Sequence, residues 1–392
     1  NKKYLELPNE IITSTLENHQ KYFPLFDMKK NLSNYFLIVS NKTDTKNMIK
    51  NGNKRVVEAR LSDAKFFWDR DKSFNLIKQI GKLKKIIFYD KIGTVYDKTQ
   101  RLQKLSSIIS DDLNTNKDKI QIAASISKSD LCSDLVGEYP ELQGVMGKYF
   151  ALSQGFEEEV ANAISDHYLP IGISSPVPKK PVSYSISIID KVDSLAGFFL
   201  IDEKPTSSKD PFALRRAAIG LLRIIIENNL NIKLREIISY SIKLFEDQGI
   251  KIQNPNAEKD ILNFLKERMR NILKEKKIQN DIIEASISSH IGDNYLDLYK
   301  KNLLMNKYIN KEIGKNAINS YKRAFNIIEK TGKGIIGRPD AVLFRKEEEK
   351  QLFEKTTDIL KALTVKEDKK NYEKLLIQLS ETKPFTDNFF EN

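Results

Sequence analysis

Between Asn75 and about Glu246 the apolar residues return at three- and four-residue spacing almost without a break, and this run decides most of what the chain can fold into. Val95, Leu102, Leu105 and Ile109 form one such stripe. IQIAASISKSDLCSDLVGEYPELQGVMGKYFAL gives two helices broken at GEYPELQG, and a short helix stops before Pro170. After the Pro-rich loop SSPVPKKP, YSISIIDKVDSLAGFFLI gives another. Such a segment buries its stripes only by packing helix on helix, so a mainly α fold is expected.

The flanks extend this. Residues 1–74 read as α/β. A short helix is capped by Asn9, an extended run starts at Tyr22, Lys29–Asn31 turn, and YFLIVSN is a buried strand. A helix follows with Val56, Leu61, Ala64, Phe67 and Trp68 on one stripe. Residues 75–246 form a helical domain, 247–312 a helical linker, and 313–392 a helical bundle whose loop holds KTGKGIIGRPD. The 392 residues suffice for two to four domains, so the class expected is mainly α and multidomain.

Lys+Arg number 65 against 53 Asp+Glu, a net charge of +12 that suggests a polyanionic partner such as RNA; a general preference for lysine supplies part of it. Only 13 of the 65 are arginine. An arginine kept in so lysine-rich a chain is the better pointer, because its planar fork binds phosphate or carboxylate as an ammonium cannot. Arg215, Arg216 and Arg223 stand in PTSSKDPFALRRAAIGLLRIIIENN. There Asp210 reads as an N-cap, Pro211 as the first helical residue, and 211–228 as a helix. Phe212, Ala218, Leu222 and Ile225 share one face, Arg216 and Arg223 another, with Gly220 between. Two roles stay open for these arginines: pairing with Asp190 and Asp193 on the preceding helix, or contact with RNA. The short connection favours pairing for Arg216.

The single cysteine, Cys132, excludes an internal disulfide and reads as a small buried thiol. No apolar run reaches membrane-spanning length and no signal peptide is visible, so the chain reads as cytoplasmic. It starts without Met, and both ends read as cut from a longer protein. Gly332, Gly334 and Gly337 have a phosphate-loop-like spacing but follow no strand of a βαβ unit, which argues against a dinucleotide site. One Cys and three scattered His, His19, His167 and His290, support no catalytic triad.

DKVDSLAGFF…PTSSKDPFALRRAAIGLLRII resembles the most distinctive signature of the β subunit of bacterial heterotetrameric glycyl-tRNA synthetase. LPNEIITSTLENHQKYFPLFD, GNKRVVEARLSDAKFFWDRD, KIGTVYDKTQRL, KSDLCSDLVGEYPELQGVMGKYFA and YKRAFNIIEK match in the same order. The resemblance implies a tRNA-binding subunit needed for attaching glycine to its tRNA. It places the catalytic core, with ATP, Mg2+ and glycine, on a separate α subunit, in a heterotetramer of two α and two β subunits. This chain then binds no cofactor, has no catalytic residue and is inactive alone. The N-terminal region and the extreme C-terminus of the family are expected to be missing, leaving 1–74 as the remnant of a preceding domain.

The same resemblance makes 75–246 similar to an HD-type phosphohydrolase domain and 313–392 to an anticodon-binding bundle. Working HD domains need a His, a His-Asp doublet and a later Asp for metal. No His here precedes Asp; Asp166 comes before His167, in the wrong order, and Asp190 matches only the closing Asp. The domain is expected to be degenerate and metal-free. In the bundle, Tyr321, Phe325 and Ile328 are expected to pack inward, leaving Lys322 and Arg323, with Lys333 and Arg338 of the neighbouring loop, to contact tRNA. The competing readings are an active HD-type metal phosphohydrolase and a non-catalytic RNA-binding helical scaffold.

Overall fold

The computed structural model describes residues 2–172, 174–206, 209–290, 292–331, 339–363 and 371–391. It is 69% helical and 4% strand, which makes the mainly α, multidomain class a finding. Contacts group the chain into two compact units. One comprises Asn1–Asn228 and Ile232–Phe264, the other Asn229–Asn231 and Leu265–Asn392.

The first unit opens with α1 (Asn9–Ser14), which continues through a π-turn at Thr15–His19. Asn9 is the first helical residue rather than the cap, a position taken by Pro8. Strands β1 (Phe23–Phe26) and β2 (Leu32–Leu37) pair antiparallel, Phe23 opposite Leu37. The Asp27 carboxylate accepts the amide hydrogens of Lys29 and Asn31, both at 2.8 Å, and so closes the turn. The expected buried strand is corrected here: Leu32 is buried, but Tyr35, Leu37 and Val39 face solvent. A two-stranded ribbon has no second layer on its outer face. Helix α2 (Met48–Asp71) buries Leu61 and Ala64 of the expected stripe, with Phe67 and Trp68 half-buried, but Val57 takes the place of Val56, which is exposed.

After α3 (Leu76–Gln79) and the ribbon of β3 (Ile87–Tyr89) and β4 (Gly93–Thr94), α4 (Val95–Leu113) starts with a capping box. The Asp97 carboxylate accepts from the Thr94 amide at 2.8 Å, and the Thr94 hydroxyl accepts from the Asp97 amide. Gly93 has φ 94°, and a Cβ there would stand 2.7 Å from that carboxylate. Helices α5 (Lys117–Ile126), α6 (Asp134–Glu138), α7 (Val145–Ser153) and α8 (Glu158–Asp166) follow, and α4, α5 and α8 pack on α9 (Pro181–Leu200), which is buried on nearly every side. Helices α10 (Leu214–Glu227) and α11 (Leu234–Asp247) complete the layer around α9. Gly197 lets α11 approach, since a Cβ would meet the Phe245 ring at 2.6 Å.

Helix α10 begins at Leu214, not Pro211. Asp210 does cap it, accepting from the amides of Leu214 (2.8 Å) and Arg215 (3.0 Å), but across a turn closed by Ala213 at φ 55°. The left-handed residue brings a carboxylate four positions upstream onto the free amides, so Pro211 and Phe212 stay outside the helix.

The unit boundary falls within α12 (Ala257–Glu275). The second unit adds α13 (Asn280–Ser289), α14 (Tyr295–Tyr308), α15 (Glu312–Thr331), α16 (Glu347–Leu363), α17 (Tyr372–Ser380) and α18 (Lys383–Glu391). Helix α15 packs on α17 and α18, and α16 packs on the same two.

Candidate functional site

The centre of the first unit is a cluster of charges held by α4, the turn after α5, the end of α8, and α9. Lys98 and Arg101 lie one turn apart on α4 and point inward with Leu102 and Leu105, all four buried. Arg101 is 0% exposed. Its Nε and Nη2 donate to the two carboxylate oxygens of Asp193 at 2.6 and 3.1 Å. Its Nη1 donates to Gln248 Oε1 at 2.6 Å, and the guanidinium covers the Phe245 ring at 3.8 Å. The fork is fully engaged, which an ammonium could not match. Lys98 Nζ donates to Asp193 Oδ2 at 3.1 Å and Ser194 Oγ at 2.9 Å, and lies 3.4 Å from Asp190 Oδ1.

Lys128 supplies the next cation. Its Nζ is 3.1 Å from Asp190 Oδ1 and 2.7 Å from His167 Nε2. His167 Nδ1 donates to the Ile164 carbonyl at 2.7 Å, so Nε2 is the acceptor for the ammonium. Burial, then the Lys128 charge, hold this imidazole well below the ordinary histidine range, so it is neutral. Burial alone would raise the Asp190 carboxyl. The ammoniums of Lys128 and Lys98 outweigh it, and the group stays ionised far below the usual carboxylate range. Lys191 Nζ donates to the Leu169 and His167 carbonyls and to Ser187 Oγ at 2.7, 3.2 and 2.8 Å, and burial holds it down to about 7. Asp130 accepts from the Gly144 and Gly147 amides; burial raises it to about 6 against those bonds.

This donor set does not fit the metal of an HD-type centre. His167 and Asp190 converge, but an ammonium stands between them, and a divalent ion needs further donors. Among the described residues, no group of three or more His, Cys, Asp or Glu could hold a metal. What the arrangement does is tie α4, the turn after α5 and α9 together through paired charge, with the end of α8 joined by the Lys128–His167 hydrogen bond.

The cluster also corrects the expected pairing of Arg216. Asp190 and Asp193 are engaged by Lys98, Arg101 and Lys128, which approach from the buried side of α9. Arg216 is exposed and forms no ion pair among the described residues. Arg223 donates to Glu227 Oε1 at 2.8 Å and to the Gly172 carbonyl at 3.3 Å, and Arg215 to the Thr206 carbonyl. Arg216, Ile219 and Arg223 line a shallow cleft with Ile171 and Gly172. Gly220 sits behind it, where a Cβ would stand 3.1 Å from Lys191 and 3.2 Å from Pro170. Cys132 is half-buried, and burial raises its thiol.

In the second unit Lys322 is exposed, as expected, but Arg323 is not free for RNA. Its Nη1 donates to Asp387 Oδ1 at 2.7 Å and Glu391 Oε1 at 3.4 Å on α18. The inward packing of Tyr321, Phe325 and Ile328 is overturned: all three face solvent, and Ser320 is buried instead. Arg323 turns toward α18, and the aromatic stripe toward solvent. Lys333 and Arg338 lie outside the described residues.

Sequence reasoning missed Lys98, Arg101 and Lys128. For the first two a signal existed: cations one turn apart on the stripe that carries Leu102 and Leu105, facing a helix with two aspartates three residues apart.

Fold and cluster together define a mainly helical protein whose first unit is closed at its centre by ion pairs. The sequence profile described as glycyl-tRNA synthetase beta subunit matches residues 1–288. Proteins named glycine–tRNA ligase beta subunit match the chain over its whole length. That of Rickettsia felis is 40% identical over 392 residues, that of Rickettsia canadensis likewise 40%, and that of Rickettsia prowazekii 39%; each match covers 100% of this chain and 56% of the relative. The chain belongs to the glycyl-tRNA synthetase beta subunit family. It spans little more than half the length of these relatives.

Proposed function

We propose that this chain is part of the tRNA-binding β subunit of a cytoplasmic glycine–tRNA ligase. It works beside a separate catalytic α subunit, in a heterotetramer of two α and two β subunits. ATP and Mg2+ are used on the α subunit. The observation that carries this reading is the match, over the whole of this chain, to relatives named glycine–tRNA ligase beta subunit. The net charge of +12 supports a polyanionic partner. No helix among the described residues is long and apolar enough to cross a membrane. The ion-paired cluster supports a structural rather than hydrolytic role for the HD-like part, and so disfavours the phosphohydrolase reading.

The test is aminoacylation of glycine tRNA by the full-length protein with and without purified α subunit. Activity is expected only with both present. Glycylation that needs only the α subunit, or tRNA binding that ignores salt, would refute the proposal.

A further inference from the structure

We propose that Tyr321 and Phe325, on the outward stripe of α15, form a stacking platform for the unpaired bases of a single-stranded RNA. This deepens the RNA-binding reading and rests on it. The two residues are one helical turn apart and are 66% and 46% exposed. Their ring centroids are 5.7 Å apart and the planes 23° from parallel, so they offer a paired aromatic surface rather than two scattered rings. Ile328, also exposed, prolongs the stripe. Large aromatics left open side by side mark an interaction surface.

Charge decides which partner fits. Lys315 and Lys322, two turns apart and both exposed, run along one side of the stripe. Glu329 is the carboxylate at the far end of that side. Arg323, on another face, is held by Asp387 and Glu391 on α18. A flat π surface with cations beside it suits a base on the rings and its phosphates on the lysines. Paired bases are stacked within their own duplex and offer no such face, so the ligand is single-stranded RNA.

The experiment uses the full-length protein and three labelled probes: a short single-stranded RNA, a blunt RNA hairpin with as many phosphates, and glycine tRNA. Removing both rings, Tyr321→Ala with Phe325→Ala, is expected to weaken single-strand binding about tenfold or more, since each stacked base contributes about five- to 150-fold. Hairpin binding and the salt dependence stay as in the parent. Tyr321→Phe keeps a ring and keeps the affinity. Phe325→Trp gives a direct readout: the emission it adds to that of the parent is quenched by the single strand and not by the hairpin. The platform is overturned if ring removal leaves single-strand binding intact, or lowers single strand and hairpin alike. It is also overturned if ring removal changes only self-association in sedimentation, which would make the stripe a protein contact. The tRNA arm separates the two claims. If the parent binds tRNA but ring removal spares the single strand, the platform falls and the wider reading stands. If the parent ignores tRNA yet loses the single strand on ring removal, the reverse holds.

Discussion

The two units invert each other. The first hides its charges: Arg101, Lys98, Lys128, Asp190 and Asp193 meet in the middle of a helical layer. The second shows its aromatics: Tyr321 and Phe325 stand open on α15 while Ser320 is buried. Both break the rule that apolar residues go in and charged ones out, but under different conditions. In the first unit the acids of α9 meet the cations of α4 inside the core, away from water. In the second Asp387 and Glu391 on α18 hold Arg323 within reach of water, where such a pair is weak.

The two sites differ in what water does to them. Removing Arg101 leaves Asp193, in a dry place, with Lys98 as the ion partner it keeps, so Arg101→Ala is expected to cost about 3 kcal/mol. For a unit of this size that is a fall in melting temperature of about 10 °C. The ring removals on α15 should stay within about 0.5 kcal/mol, as exposed substitutions do. Calorimetry of the variants checks both, and a mild Arg101→Ala would erase the contrast.

A smaller effect sharpens the buried side. Lys191 holds its proton up to about pH 10.5 when unfolded but only to about 7 in the fold, beside Asp190, Lys128 and Lys98. Between those values the unfolded chain binds more protons, so this group makes stability rise with pH. Lys191→Met should flatten that rise in melting temperature between pH 7 and 10. An unchanged slope would remove Lys191 as its source.

The smallest effect is expected at Arg216, exposed and without an ion pair among the described residues. Arg216→Ala should shift stability by no more than about 0.5 kcal/mol. If the cleft it lines meets RNA, the variant should lose about one unit of salt-dependence slope in tRNA binding. A large drop in melting with unaltered binding would return this arginine to a structural role.

Much of the fold was legible in the sequence. Helical spacing marked the stripe of α4, and α9 was read as a helix. The start of α10 was not legible, because Asp210 acts through a left-handed Ala213, a conformation no composition announces. At the candidate site, Asp190 stood out but its partners did not. A lysine such as Lys128, lying 62 positions upstream of Asp190, gives no local sign that it will be buried beside it. On α15 the most apolar stripe was taken as the inward one, since a periodicity cannot see which side of a helix its neighbours will cover.

The Arg101–Asp193 clasp joins positions 92 apart in the chain. Such a bond closes a long loop and becomes strong only when water has left. It therefore belongs to the last stage of folding rather than to the nucleus. An interaction of that kind hardly alters how fast a domain forms, but it governs how long the domain stays formed. The charges at the centre of the first unit act as a brake on unfolding, setting the lifetime of the folded subunit more than the speed of its making.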